Sequence, residues 1–553
     1  MLQQSAILQH PTVGPIRGVK KVDGVTQFLG VQYATLKDRF SRAELLKSYP
    51  SDHPRLRYGV FDATTIAAIP LSPADGCAWE HKLIQQSLES PSFEQSDTEC
   101  LTLNIAVPDL QADGPEWPVL ALVHGGAFAT GSSSYPQYDL ARIVKMSVKI
   151  GKPIIAVGIN YRLGVPGFLH SSAMKAAGYK PNNGLDDQRQ GLLWIKHHIA
   201  GFGGDPHRVT YIGESSGAAS GTFHLHSKEP LFSQLISMSG SSLVKAKQPE
   251  LAERSFKTAL QLLNVSETEE TAQIQCLLEV PMEDIREKVG RKVPMAPIVD
   301  GDLVPRTTSY ALMADTAQTT ELFPGMKWCK RIMFGDCQMD GNAYGPRVGA
   351  RQDILPRTLA TFLATTLDPV DPALAPTIVS GYGLDTAATV NSQESLKACL
   401  DLATGICFGL GARTFVRSWS QAGLEAFLYH FNVPNPWDGP WKGYAAHILD
   451  IAFVLQNYQE KLPAGQQKAA KKQTEDAISF IYGEVPWPAY KIGAQEGAMV
   501  YFAREQSSED ESRYVPGEIT EETGRRDILQ KIMTQEVFDK VMDAWDLFMK
   551  GPK

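Results

Sequence analysis

A serine flanked by glycines is the first candidate for chemistry in this chain. Ser215 lies in Gly-Glu-Ser-Ser-Gly at residues 213–217, directly after the apolar run at residues 209–212. A serine hydroxyl is a poor nucleophile unless it is exposed, hydrogen-bonded to a base and faced by oxyanion donors. A sharp turn from strand to helix gives that exposure, and flanking glycines permit the turn. Because 46 of 553 residues are glycine, this pattern alone is weak evidence.

An activated serine requires a histidine base. Where such a serine follows a strand of an α/β sheet, the chain order is serine, acid, histidine. Of twelve histidines, only His430 and His447 follow the region where the acid is expected. His430 lies in a strand-like stretch, which indicates a hydrogen-bonded core histidine. His447 follows a loop rich in Pro, Gly and Trp beyond that strand, where catalytic groups of open α/β sheets collect, so it is the candidate base.

Two carboxylates compete for the role of the acid. The run at residues 331–334 predicts a strand, and Asp336 and Asp340 follow it. We interpret Asp336 as a turn or cap residue at the strand end. We assign the acid to Asp340, partly from the family resemblance described below. An acid in this position holds the imidazole tautomer and stabilises the imidazolium ion.

Backbone N–H groups must stabilise the negative charge that develops on a carbonyl oxygen. Ser216, the residue after the nucleophile, is one expected donor. The loop His-Gly-Gly-Ala-Phe at residues 124–128 follows a strand-like run at 118–123, and its Gly126 and Ala127 are the other expected donors. By itself this loop is equally consistent with an ordinary strand-end turn. Its place before the serine turn favours an oxyanion hole.

Strands that alternate with helices must position these residues. Strand-like runs occur at residues 101–107, 118–123, 153–160, 208–212, 330–334 and 426–433, with a helical pattern at 185–199. The alternation is typical of a mostly parallel sheet in an α/β fold, flanked by helices. We find no repeat or linker, and predict one domain over residues 1–553. It has large insertions at about 36–95 and 245–325, a charged loop at about 504–526, and a C-terminal helix from roughly 527 to 549.

Composition excludes several classes of function. The net charge of -8 argues against a nucleic-acid partner. The sequence contains no run of 18 apolar residues, so we expect no membrane span. The N-terminus lacks a signal-peptide pattern, so we expect a cytoplasmic protein. Seven scattered cysteines do not form a disulfide framework. The pairs His197-His198 and His224/His226 lack further ligands at suitable spacing, so no metal site is predicted.

Several further motifs carry a family resemblance. They are FLGVQYA at 28–34, TECLTLN at 98–104, NYRLG at 160–164, NGLDDQ at 183–188, FGGDP at 202–206, SGS at 239–241 and PIVDG at 297–301. With the serine turn, they resemble the type-B carboxylesterase/lipase family, the cholinesterase-like branch of the α/β-hydrolases. The resemblance extends from about residue 14 to about residue 455, and it implies an α/β-hydrolase fold with cap-like insertions.

The resemblance implies a serine hydrolase of carboxylic esters that needs no cofactor. The triad falls on Ser215, Asp340 and His447, because the family places the acid before a glycine and the histidine three residues before an acidic residue, here Asp450. A further serine that supports the site in this family falls on Ser239. A glutamate beside the nucleophile falls on Glu214. We assign supporting roles to Glu214, Ser239 and Asp450.

The chain departs from the family pattern at several positions. Asp340 stands where the family usually has glutamate, and Ser216 stands where it usually has alanine. The Gly-Gly-Ala-Phe loop belongs to a subtype associated with esters of bulky alcohols. Cys77 and Cys100 match the first disulfide of secreted relatives, but in a reducing cytosol we expect both to be thiols.

Alternative functions remain open at the level of sequence. The same acyl-enzyme site is compatible with acyl transfer to an alcohol or amine, or with cyclisation or elimination on a biosynthetic intermediate. A non-catalytic, cholinesterase-like interaction module is a third reading, which the retained Ser215 and His447 disfavour. The expected partner is a small-molecule ester; its acyl and alcohol groups and the oligomeric state are not specified by these motifs.

Overall fold

A computed structural model describes residues 4–109, 116–387, 392–517, 528–529 and 534–551. The strands are β1 Gln4–His10, β2 Gly14–Val22, β3 Val25–Gln32, β4 Ala34–Thr35, β5 Glu44–Leu45, β6 Leu56–Arg57, β7 Val60–Asp62, β8 Ile69–Pro70, β9 Gln95–Ser96, β10 Thr102–Pro108, β11 Trp117–Val123, β12 Ile155–Ile159, β13 Gly204–Glu214, β14 Gln234–Met238, β15 Arg331–Cys337, β16 Glu425–Phe431, β17 Gly497–Tyr501 and β18 Arg513–Pro516.

The helices lie mostly between these strands. They are α1 Gly76–Ile84, α2 Ala141–Lys149, α3 Gly164–Phe168, α4 Ser172–Ala176, α5 Asn183–His198, α6 Ser216–His224, α7 Pro249–Leu262, α8 Glu270–Glu279, α9 Met282–Asp284, α10 Tyr310–Ala314, α11 Thr316–Leu322, α12 Gly345–Val348, α13 Leu355–Leu367, α14 Leu374–Gly381, α15 Leu384–Ala387, α16 Ser392–Ala403, α17 Leu410–Gln421, α18 Leu449–Val454, α19 Ala464–Ile481 and α20 Gln535–Lys550.

Fourteen of the strands form one sheet. Its order is β18-β17-β16-β15-β14-β13-β11-β12-β10-β3-β2-β7-β6, with β1 paired to β2. The block from β17 to β12 is parallel, and the strands beyond it are mostly antiparallel. Because parallel strands end at one edge of the sheet, the segments that follow β11, β13, β15 and β16 meet there. The predicted α/β-hydrolase fold is confirmed.

Helices cover both faces of the sheet. Along β11, Val119, Ala121 and Val123 belong to one hydrophobic core, whereas Leu120 and Leu122 belong to the other. Side chains of a strand alternate between faces, so a strand buried on both sides reads as a continuous apolar run. That explains why the apolar run at 118–123 predicted this strand correctly.

The C-terminal part of the chain differs from its predicted form. The stretch predicted as a charged loop contains β18, which pairs antiparallel with β17. Neither strand was predicted from the sequence. β18 is short and has only Val515 buried, so it has no strand-like apolar pattern. It forms because the outer edge of β17 requires backbone hydrogen-bond partners. The helix Gln535–Lys550 confirms the main part of the predicted C-terminal helix, and residues 528–529, near the predicted start, are also helical. Residues 518–527 and 530–533 lie outside the described part of the chain.

One helical stretch has the length and apolar composition of a membrane span. It is Gln393–Gln421, and 89% of its most apolar window is buried inside the protein. Its apolar side chains therefore face the protein interior, as in a core helix. Among the described residues, no group of three or more His, Cys, Asp or Glu is arranged to hold a metal ion.

Candidate active site

Ser215 occupies a strained turn between β13 and α6. Its φ is 55° and its ψ is -120°, a conformation that non-glycine residues rarely adopt. A Cβ at Gly217 would lie 2.1 Å from the carbonyl oxygen of Val123, and one at Gly213 would lie 2.4 Å from the carbonyl carbon of Gly217. The turn therefore requires glycine at both flanking positions. It leaves Ser215 partly exposed at the carboxyl edge of the sheet.

A buried acid–histidine pair lies at the same edge. His447 Nδ1 is 2.7 Å from Asp340 Oδ1, and both side chains are almost fully buried. The backbone N–H of Cys337 donates to Asp340 Oδ2 at 2.7 Å. The backbone N–H of His447 donates to Asn342 Oδ1 at 2.8 Å. These bonds hold the loop after β15 against the loop that carries His447.

The other ring nitrogen of His447 contacts Glu214. His447 Nε2 is 3.1 Å from Glu214 Oε1, and within the described part of the chain the Ser215 hydroxyl makes no hydrogen bond. Burial by itself lowers the pKa of His447, but the carboxylates of Glu214 and Asp340 outweigh it and raise that pKa to about 9. Burial raises the pKa of Glu214 well above its ordinary value.

The predicted oxyanion loop bends toward Ser216. Gly126, Ala127 and Phe128 have φ values of 100°, 55° and 60°, three successive left-handed residues. The N–H of Phe128 donates to Ser216 Oγ at 3.3 Å. The serine that replaces the family's alanine therefore ties the loop to the nucleophile turn. A Cβ at Gly126 would lie 2.1 Å from the carbonyl oxygen of Thr130, so glycine is required there.

The supporting residues also lie at this edge, where they are buried. The phenol of Tyr429 donates to Asp450 Oδ2 at 2.8 Å, while burial and the nearby Asp340 raise the pKa of Asp450 to about 6. Ser239 has a φ of 54°, and its N–H donates to the carbonyl of Gly335 at 2.9 Å. Its hydroxyl is buried beside the thiol of Cys337, its hydrogen-bond partner.

The alternative acid proves to have a different role. Asp336 is the sixth residue of β15 and fully buried, and its Oδ1 lies 2.6 Å from Nδ1 of His430. The two residues face each other in the register of β15 and β16. The interpretation of Asp336 as a turn residue is wrong, because the strand continues past its apolar run. The prediction that His430 is a hydrogen-bonded core residue is confirmed.

Two contacts at the site were missed by sequence reasoning. Asn342 was not selected, although it follows the assigned acid by two residues. Gln85, at the end of α1, accepts from the N–H of Trp441 at 2.7 Å and donates to the carbonyl of Trp437 at 3.1 Å. It supports the loop that leads to His447. No sequence pattern signals a contact between positions 350 residues apart.

Cys77 and Cys100 are not bridged, and the buried members of the histidine pairs have protein partners. Cys77 and Cys100 are free, and they pack against opposite faces of the sheet. His198 accepts or donates a hydrogen bond with the Thr12 hydroxyl at 2.7 Å, and His224 is 2.9 Å from Gln188 Oε1. These histidines are bonded within the protein core.

The turn at the carboxyl end of a central parallel strand, with helices on both sheet faces, defines an α/β-hydrolase. Solved structures agree: a structure titled PNB esterase matches with a TM-score of 0.71 at 23% identity, over 96% of this chain and 99% of that one. A thermophilic PNB esterase matches with a TM-score of 0.68 at 22% identity, over 92% and 97%. At these identities the likeness shows the fold.

The family is shown by the sequence. The model of the carboxylesterase family matches residues 4–498. The para-nitrobenzyl esterase of Bacillus subtilis is 32% identical over 85% of this chain and 86% of its own. Carboxylesterase patB of Penicillium expansum is 35% identical over 39% and 41%, and the cholinesterase of Mus musculus is 30% identical over 55% and 49%. The chain belongs to the carboxylesterase family, and is a carboxylic ester hydrolase.

Proposed function

We propose that this protein hydrolyses carboxylic esters through a Ser215–His447–Asp340 triad and an acyl-enzyme intermediate. The observation that carries the proposal is the buried 2.7 Å contact between His447 Nδ1 and Asp340 Oδ1, at the sheet edge where the Ser215 turn lies. A carboxylate in that place fixes the proton on Nδ1, which leaves Nε2 free to accept the proton of the serine.

Acylation follows from that arrangement. Ser215 Oγ attacks the ester carbonyl carbon while His447 Nε2 takes the hydroxyl proton. The N–H groups of Gly126, Ala127 and Ser216 stabilise the oxyanion. The tetrahedral intermediate collapses when His447 returns the proton to the leaving alcohol, which gives a Ser215 ester and the free alcohol.

Deacylation repeats the sequence with water. His447 takes a proton from water, the resulting hydroxide adds to the acyl carbon, and Ser215 Oγ leaves with that proton, so the acid is released. In the resting arrangement His447 Nε2 contacts Glu214 at 3.1 Å. We therefore propose that the bond between Ser215 and His447 forms when substrate enters, since catalytic hydrogen bonds often tighten only in the substrate complex.

The substrate class is part of the proposal. The relative named para-nitrobenzyl esterase makes a p-nitrobenzyl ester the first substrate to test. The Gly-Gly-Ala-Phe loop supports esters of bulky alcohols as well, so a tert-butyl ester should be compared with the matching ethyl ester. Transfer of the acyl group to an added alcohol, in place of water, would appear as a second product by mass spectrometry.

A fluorophosphonate probe tests the nucleophile directly. The wild type and a surface control, Ser266→Ala, should be labelled equally, and the modified peptide should contain Ser215. The Ser215→Ala variant should take no label and should lose ester turnover. Full turnover by Ser215→Ala, in protein that unfolds at the wild-type temperature, would rule out the proposed mechanism.

A further inference from the structure

A second buried carboxylate lies on α1, within the insertion at 36–95. Glu80 is 1% exposed. The side-chain N–H of Gln137 donates to Glu80 Oε2 at 2.8 Å. The buried phenol of Tyr138 is a second hydrogen-bond partner of the Glu80 carboxyl. A charged group so placed needs a partner, since an unpaired buried charge is strongly disfavoured.

Three buried side chains lie between Glu80 and the nucleophile turn. They are Tyr138, His124 and Glu214. Burial and the charges of both Glu80 and Glu214 raise the pKa of Tyr138, so its phenol lies close to both carboxyls. The rings of Tyr138 and His124 lie 6.2 Å apart between centroids.

Glu214 lies against the oxyanion loop. Gly125 follows His124, and a Cβ on Gly125 would lie 2.3 Å from Glu214 Oε2. Glu80, Tyr138, His124 and Glu214 therefore form one buried group of polar side chains at the oxyanion loop. Charges in such a group interact more strongly than in water, because the protein interior screens them weakly.

We propose that Glu80 is a positioning residue for His447 that acts through Glu214, with Tyr138 between the two carboxyls. The inference rests on the proposed function, because it concerns the histidine base of that mechanism. Glu80 itself does not touch the reacting atoms. Its effect is to set how often Glu214, 3.1 Å from His447 Nε2, carries a negative charge.

The charges around the two carboxyls agree with this arrangement. Burial raises the pKa of Glu80 to about 7, and the charge of Glu80 contributes to the raised pKa of Glu214. Two nearby buried carboxyls do not readily ionise together. The titratable or charged groups that act on Glu80 or are affected by it are Arg291, Cys77, Tyr135, Tyr138, Tyr161, Tyr458 and Glu214. Those that act on Glu214 are His447, Asp450, Asp340 and Glu80.

The sign of the effect on catalysis follows. In Glu80→Gln, the negative charge beside Glu214 is absent, so Glu214 ionises more readily. An ionised Glu214 stabilises the imidazolium form of His447. Since His447 must be neutral to accept the serine proton, the acid limb of kcat/KM should move to higher pH, by about half a unit or more for charges coupled through the protein interior.

The experiment compares the pH profiles of kcat/KM for wild type, Glu80→Gln, Tyr138→Phe and the exposed control Glu283→Gln. Glu80→Gln keeps the side chain's size and its bond to Gln137. Tyr138→Phe removes the phenol's hydrogen bond to Glu80, a bond that lowers the pKa of Glu80, so Glu80 carries its negative charge less often in this variant. We expect both to shift the acid limb in the same direction, whereas Glu283→Gln leaves it at the wild-type position.

A double mutant separates action through Glu214 from a general structural effect. In the Glu214→Gln background, adding Glu80→Gln should produce no further shift, because the group that transmits the effect is absent. An unshifted Glu80→Gln profile, or an equal shift in the Glu214→Gln background, overturns the inference. Neither result bears on the proposed triad, which is tested separately by the labelling of Ser215.

Discussion

Exchange of Asp340 for Asn tests which of two buried acid–histidine pairs is catalytic. Asp340 Oδ1 faces His447 Nδ1 at 2.7 Å, and Asp340 Oδ2 accepts from the N–H of Cys337 at 2.7 Å. An asparagine has one acceptor and one donor group in place of the two oxygens. Because the N–H of Cys337 is a fixed donor, the amide oxygen turns to it and the NH₂ group turns to His447.

That orientation puts the wrong tautomer at the site. An NH₂ group facing Nδ1 requires Nδ1 to accept, so the ring proton moves to Nε2, the atom that should take the serine proton. The equivalent change in a well-studied protease lowers kcat by about 10⁴. A loss of 10⁴ corresponds to about 5.4 kcal/mol in the activation free energy. We expect a loss of this order in kcat for Asp340→Asn, with KM changed little.

The matched control is Asp336→Asn. Asp336 precedes Asp340 by four residues and is equally buried. Its Oδ1 lies 2.6 Å from Nδ1 of His430. Because His430 is fully buried within β16, we assign this pair a structural role, in which it joins β15 to β16. Asp336→Asn should lower the free energy of unfolding by about 1–3 kcal/mol and keep kcat within a few-fold of the wild type.

Steady-state hydrolysis of a p-nitrobenzyl ester, together with urea denaturation of each variant, measures both quantities. If Asp336→Asn loses the activity and Asp340→Asn keeps it, the assignment of the acid is wrong and the catalytic pair has to be sought at β16. Equal large losses in both variants, with normal stability, would also contradict the reasoning.

Three further predictions concern the turn, the base and the thiols. Gly217→Ala should destabilise the fold by several kcal/mol, because its Cβ would lie 2.1 Å from a backbone oxygen; urea denaturation that matches the wild type contradicts this. The pKa of about 9 for His447 predicts that kcat/KM rises with pH to about pH 9, since only the neutral base accepts a proton; a plateau already at pH 6 would contradict this prediction. Dithiothreitol should leave the unfolding temperature unchanged, because Cys77 and Cys100 are free, and a bridged peptide found by mass spectrometry would refute this.

Much of the fold followed from sequence because it depends on local patterns. A nearly continuous apolar run such as residues 153–160 predicts a strand buried on both faces, and the glycines around Ser215 predict a sharp turn. Chain order then limited the base to two histidines. Membership of the carboxylesterase family is confirmed, whereas the cytoplasmic location and the single domain stay predictions.

Tertiary structure decided what depends on distant contacts. The sequence determined that a serine nucleophile turn follows a central strand and that an acid and a histidine are available after it. Only the packing of β15 against β16 showed that Asp336 bonds to His430, and only the meeting of two loops paired Asp340 with His447. The electrostatic coupling of Glu80 with Glu214 could not be predicted from the sequence either. It arises between segments that are far apart in the chain and meet only in the folded interior.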